Sequence, residues 1–296
     1  MTVTLNDMKL IVSGNTSFFA NQNQANRSVV DVDGTLLTKK HTLHPITAEA
    51  IRAVRAAKPE LPVIIATGRQ RNSCDFIREA FGIDGLYETI HMHGAVLYDP
   101  SGVILHQITP PLPTLQKAMA MAEEAKMTYF IYTHDRVYIC QHEADSFDWL
   151  PWVAAFGEYA EKPPADYKAQ VASGAIGIVK LAFAQAEGRL EHIQPHITAL
   201  PGVVVTKALR ETFEMVAEGV DKSVALTKVL ERYNIKASDV AAFGDGANDV
   251  GMLKMAGYSV AMANGMAAPK EVAKYQTTSN DEGGVGVWLK GVLAQQ

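Results

Sequence analysis

The sequence predicts an α/β protein in two parts. One is a parallel sheet covered by helices and made from both ends of the chain. The other is a smaller α+β domain inserted between them. Three observations predict this. Apolar β-branched runs alternate with helically spaced stretches at both ends. The texture changes after Thr109, where Pro110, Pro111 and Pro113 read as a linker. Aspartates follow two of the apolar runs at once, Asp31 and Asp33 in the first and Asp245 and Asp249 in the second. The expected division is residues 1–109 and 213–296 for the core and 110–212 for the insert.

Each element has a local reason. Val29–Val32 is apolar, β-branched and stopped by Gly34, so it reads as the first core strand. Pro45 to Ala57 has helical spacing, with Ile51 and Val54 three apart. Leu61 to Ala66 is continuously apolar, as in a strand buried on both faces. Asn72 to Phe81 reads as a helix, and His91 to Tyr98 with Val103 to Gln107 as a hairpin turning at Asp99-Pro100-Ser101-Gly102. In the insert, helices are expected at Leu115 to Lys126, around Phe147 to Tyr159 and at Arg189 to Leu200. Strands are expected at Thr128 to Thr133, Val137 to Gln141, Ile176 to Phe183 and Val203 to Lys207. The core resumes with a helix from Lys222 to Tyr233, the strand Val240 to Phe243, a helix from Asp249 to Ala256, the strand Ser259 to Met262 and a last helix near Val285 to Leu293.

Composition narrows the function. Of 296 residues, 48% are hydrophobic and 20% charged, ordinary for a globular protein. A net charge of -5 provides no basic field for nucleic acid or anionic lipid. No apolar run approaches a membrane span, and no leader pattern opens the chain. Two cysteines cannot build a disulfide framework, so the expected location is a reducing one, the cytoplasm. Oligomeric state is not legible.

The chemistry concentrates at strand ends. In open α/β sheets ligands bind at the carboxyl edge of the strands. Asp31 and Asp33 would stand there at D-x-D spacing, where two carboxylates need a cation or a shared proton. Asp245 and Asp249, in "FGDGANDV", sit at another strand end; Asp249 also suits a helix cap. Few, hard oxygen ligands suit Mg²⁺, and no Cys/His cluster offers a softer site. Thr67 and Gly68, in "IIATGR", could hold a phosphate oxygen through a hydroxyl and turn amides, although Thr-Gly after a strand is also an ordinary turn. Lys222, opening a helix in "GVDKS", taken alone reads as a solvated lysine.

Taken in order, "DVDGTLL", "ATGR", "GVDKS" and "GDGANDVGMLKMAGYSVAMANG" resemble the haloacid dehalogenase superfamily, in its Cof-type branch. The resemblance covers roughly residues 29–109 and 211–290; the insert matches by position only. It implies a Rossmann-like core with an α+β cap, and a Mg²⁺-dependent phosphatase acting on a small phosphorylated metabolite such as a sugar phosphate. It implies Asp31 as nucleophile, Asp33 as acid and base, and Thr67, Gly68, Lys222 and Asn248 as phosphate ligands. It implies Asp31, Asp33 and Asp245 around the metal, with Asp249 supporting them. A phosphomutase with the same nucleophile is the near alternative. A non-catalytic phosphometabolite-binding protein is the distant one. The chain departs from the family at His93-Gly94, where Asn-Gly is usual, and at Lys222-Ser223, where Lys-Gly is usual. The cap's Tyr132, His134, Asp135, Arg136 and Arg210 are polar residues from which substrate contacts could come.

One stretch does not fit. Asn21 to Ser28 is polar and amide-rich where a buried strand needs an apolar approach. Removing residues 14–30 joins the flanks as "MKLIVSDVDGTLL", a better strand. Codons compatible with Gly14-Asn15 and Val30-Asp31 can supply a splice donor and acceptor that rejoin in frame as Asp. The segment therefore reads as a short retained intron in a eukaryotic, fungal-type gene; a genuine N-terminal extension is the alternative.

Overall fold

The computed structural model describes residues 3–15, 34–185, 190–207 and 211–295. The first part of the core contains β1 (Leu10–Asn15), α1 (Pro45–Ala57), β2 (Val63–Thr67), α2 (Asp75–Phe81), β3 (Thr89–His91), β4 (Val96–Tyr98) and β5 (Ile104–Gln107). The insert contains α3 (Leu112–Glu124), β6 (Thr128–Tyr132), β7 (Val137–Cys140), α4 (Trp149–Ala154), β8 (Ala160–Glu161), α5 (Tyr167–Ser173), β9 (Lys180–Ala184), α6 (Gln194–Thr198), β10 (Val203–Lys207) and β11 (Thr212–Ala217). The chain returns to the core with α7 (Lys222–Tyr233), β12 (Val240–Gly244), α8 (Val250–Met255), β13 (Tyr258–Met262), α9 (Ala267–Val272), β14 (Tyr275–Thr277) and α10 (Gly284–Leu293).

Two sheets result, ordered β14-β13-β12-β1-β2-β3-β4-β5 and β10-β11-β9-β6-β7-β8. In the first, β1 lies parallel between β12 and β2. Strand residues alternate faces. Ile11, Val63, Ile65, Ala241 and Phe243 pack toward one layer with Ile51 and Val54 of α1 and Leu289 of α10. Leu10, Val12, Ile64, Ala66 and Ala242 pack toward the other with Leu226 and Val229 of α7 and Leu253 of α8. Helix starts follow their caps: His44 accepts from the Ile46 amide with Pro45 at the first helical position, and Asp221 accepts from the Ser223 amide. The prolines expected to form a linker instead open α3, with Pro113 in its first turn.

The first core strand differs from the expectation. Val29–Val32 lies outside the described residues, and the central position is filled by Leu10–Asn15. Leu10, Ile11 and Val12 are fully buried. The approach to them is pinned: Lys58 Nζ donates to the Met8 carbonyl at 2.9 Å, and the Lys9 amide donates to the Asp239 carbonyl at 2.7 Å. An apolar triplet with anchored flanks is what a two-faced buried strand requires.

The insert is a cap. One face of its sheet packs on α3, α5 and α6 through Leu115, Val171, Ile197 and Phe183. The other face, through Phe130, Tyr132, Val179 and Ala182, packs on Met92, Val96 and Tyr98 of the core hairpin. Strand β11 carries this sheet past residue 212, the point at which the insert was expected to end. Among the described residues no helix is long and apolar enough to cross a membrane.

Candidate active site

Because β1, β2, β12 and β13 run parallel, their carboxyl ends share one edge. Asp245 follows β12 there and is buried. Thr35 donates from Oγ1 to Asp245 Oδ1 at 2.7 Å. Gly34 lies so close that a Cβ added to it would fall 1.9 Å from Asp245 Oδ2, so any larger residue would displace the Asp245 carboxylate. Thr67 ends β2, is fully buried, and accepts at Oγ1 from the Arg69 amide at 3.1 Å. Gly68 is covered by the His93 imidazole; a Cβ there would meet the ring at 2.4 Å.

Asp249 organises the loop after β12. Its Oδ2 accepts from the Asp245 and Gly246 amides, both at 3.0 Å. Its Oδ1 accepts from Lys222 Nζ at 2.7 Å, and both side chains are fully buried. Lys222 is thus no solvated lysine. It opens α7 inside the core with its ammonium at the same edge as Asp245. Breaking a buried ion pair by removing one partner costs about 3–5 kcal/mol. Asp249→Asn should therefore lower unfolding free energy by about 3 kcal/mol, read from urea denaturation. An unchanged midpoint would show that this pair carries no stability.

The structure brings Thr67, Gly68, Lys222, Asp245, Asn248 and Asp249 to one edge. Asp31 and Asp33 lie outside the described residues. Asn248 is engaged sideways: its Nδ2 donates to His93 Nδ1 at 2.9 Å. Among the described residues no group of three or more His, Cys, Asp or Glu side chains is placed to hold a metal. The oxygen chemistry of this edge still fits Mg²⁺, with a buried carboxylate at Asp245 beside the glycine turn that follows Asp33.

The sequence reading did not reach three residues around this edge. His93, noted only as a departure, has left-handed backbone (φ 60°) and donates from Nε2 to Glu214 Oε2 of the cap at 2.9 Å. Glu214 Oε1 accepts from Lys180 Nζ at 2.6 Å. Burial alone would raise the Glu214 carboxyl, but Lys180 and His93 beside it hold it well below the ordinary carboxylate range. The alternation in "TFEMVA" was the available signal that Glu214 shares a strand face. Beneath His93, burial pushes His91 down to about 3. Of the cap residues singled out, Tyr132 faces the core and donates to Glu158 at 2.9 Å, whereas Asp135 and Arg136 are exposed. Arg210 lies outside the described residues.

A parallel sheet that presents an acid-bearing loop, a Thr-Gly turn and a buried lysine at one edge, beneath an inserted α+β cap, defines a capped α/β phosphohydrolase. The chain belongs to the haloacid dehalogenase-like hydrolases, whose family model matches residues 28–289. A Schizosaccharomyces pombe protein named as an uncharacterized hydrolase is 32% identical over 271 residues, covering 89% of each chain. Phosphatase YwpJ of Bacillus subtilis is 26% identical over 288 residues, 89% of this chain and 98% of its own. A crystal structure of a haloacid dehalogenase-like hydrolase from Bacteroides thetaiotaomicron superposes with a TM-score of 0.80 at 20% identity, covering 97% of this chain and 100% of that one. The family and its phosphatase members make this chain a phosphoric monoester hydrolase.

Proposed function

We propose that the protein is a Mg²⁺-dependent phosphatase of a small phosphorylated metabolite, acting through an aspartyl phosphate on Asp31. The observation that carries this reading is the meeting of Thr67-Gly68, the Lys222–Asp249 pair and Asp245 at one sheet edge under the cap. Phosphatases of this family generally use Mg²⁺. When bound, the ion offsets negative charge on the phosphoryl group; Asp31, the Asp33 carbonyl and Asp245 would hold it.

The chain's own groups do the rest. Asp31 attacks phosphorus as the bond to the leaving oxygen breaks, and Asp33 gives that oxygen its proton. Water then attacks the aspartyl phosphate while Asp33 takes the water's proton, releasing phosphate and restoring Asp31. Thr67, the Gly68 turn and Lys222 bind the phosphoryl oxygens; Lys222 neutralises charge that would otherwise repel Asp31. The cap excludes bulk water and selects the leaving group. The two-cysteine content suits the cytoplasm.

The test is phosphate release from a panel of phosphorylated metabolites. EDTA should silence the protein and Mg²⁺ restore it. Asp245→Ala should lose about a thousandfold in turnover, the scale of several kcal/mol of charge stabilisation. Full activity of a metal-stripped Asp245→Ala protein would rule the reading out.

A further inference from the structure

One strained turn touches three elements of the phosphate-binding edge. Met92, His93 and Gly94, which follow β3, have φ of 51°, 60° and 104°. Left-handed backbone is uncommon for residues with a Cβ, and such positions gather at functional sites. Among the described residues, Met92 and His93 are the only two adjacent non-glycine residues that adopt it. The contacts of the turn account for the strain. The Met92 side chain enters the seam between core and cap with Phe130 and Tyr132. The His93 ring covers Gly68 and meets Asn248. Gly94 lies on the Asp221 carbonyl, where a Cβ would fall at 2.4 Å, just before Lys222 opens α7.

His91 ties this turn to the Thr67-Gly68 turn. Strands β2 and β3 pair through Ile65 with Thr89 and Ala66 with Ile90, and the ladder stops there, one residue short of Thr67. Beyond it the Arg69 backbone is held on both sides. Its amide donates to Thr67 Oγ1 at 3.1 Å, which leaves the Thr67 hydroxyl hydrogen to donate outward. Its carbonyl accepts from the Met92 amide at 3.3 Å and from His91 Nδ1 at 3.1 Å. A carbonyl can only accept, so the imidazole proton sits on Nδ1.

Packing does not account for an imidazole here. His91 is fully buried, and its Nε2 has no hydrogen-bond partner among the described residues. Burial, with Arg78 and Arg71 nearby, keeps the ring neutral. A phenyl ring would fill the same space, edge-on to Tyr98, without stranding an acceptor. What a phenyl ring cannot do is donate to the Arg69 carbonyl. We infer that His91 is a positioning residue: by donating to the Arg69 carbonyl, it holds the Thr67-Gly68 turn in the geometry that binds phosphoryl oxygens. It acts through Arg69 and touches no substrate. This deepens the phosphatase reading and rests on it.

The test is calorimetric titration of the full chain with inorganic phosphate in the presence of Mg²⁺. Three variants separate the donor from the volume. His91→Asn places an amide nitrogen where Nδ1 stands, His91→Gln places one where Nε2 stands, and His91→Phe keeps a ring with no donor. His91→Phe and His91→Gln should each weaken phosphate binding about tenfold, the scale of one buried hydrogen bond. His91→Asn should stay within about threefold of the unaltered chain. A merely structural role would rank the variants by volume instead, with His91→Phe nearest the unaltered chain and His91→Asn, which leaves the largest gap, furthest from it. That ranking, or an equal effect in all three, overturns the inference and leaves the phosphatase reading standing. Should His91→Phe fail to fold, His91→Asn against His91→Gln decides alone. An unaltered chain that binds no phosphate overturns the inference; if it also releases none from the metabolite panel, the phosphatase reading falls with it.

Discussion

Deleting residues 14–30 should raise phosphatase activity about a hundredfold. The argument is one of register. Ser13 lies opposite Phe243 and Ile65, and the next two positions of β1 lie opposite Ala66 and Thr67. On the far side of the segment, Gly34 packs on Asp245 and its carbonyl accepts from Asn264 Nδ2 at 2.7 Å. Both flanks therefore already stand at the carboxyl edge of the sheet. Joining Ser13 to Asp31 would put the Asp31 carboxylate opposite Ala66, one step before Thr67, on a strand anchored by Leu10, Ile11 and Val12. Misplacing a reacting group by about 1 Å costs about 10²-fold, which sets the expected gain. Stability should rise more modestly, by about 1–2 kcal/mol from the shorter loop. Reading the transcript across this junction, and comparing turnover and thermal midpoints of the two proteins, checks the idea. An unspliced message together with a less stable, no more active deletion variant would sink it.

Asp31→Asn should lower phosphate release about 10⁴-fold or more, in the full chain and in the deletion variant alike. The amide keeps the size of the carboxylate but cannot attack phosphorus. The thermal midpoint should stay close to that of the parent, because the packing described for β1 comes from Leu10, Ile11 and Val12. Trapping of beryllofluoride at Asp31 in the parent, and its loss in the variant, would mark the nucleophile directly. Near-normal turnover by Asp31→Asn would show that another group attacks.

Much of this site was legible because strand ends advertise themselves. An apolar run stopped by Thr67-Gly68 or by Gly244-Asp245 can be read without a structure, since the run must be buried and the turn must not. Lys222 was legible only as part of a motif; its burial beside Asp249 comes from a partner 27 residues away. The first strand was misplaced because two runs compete for one position. The family match begins at residue 28 and takes the run next to the aspartates. Packing takes Leu10–Val12, whose neighbours Leu5 and Met8 are also buried. The seam residues were illegible for another reason. His93 and Glu214 are 121 residues apart, and each reads as an ordinary polar residue in its own segment. Only the juxtaposition of cap and core makes them a pair.

The sheet order also governs how the protein can be made. Strand β1 leaves the ribosome ahead of the whole cap, yet one of its two neighbours, β12, is residues 240–244. At about 5–20 residues per second, that edge stays open for about 10–50 s of translation. The cap sheet, by contrast, is one continuous stretch of chain and can close on itself before the last quarter is synthesised. Nascent chains stalled before residue 240 should thus carry a finished cap and a core whose central strand still exposes backbone to any passing partner, the stage at which a chaperone matters most.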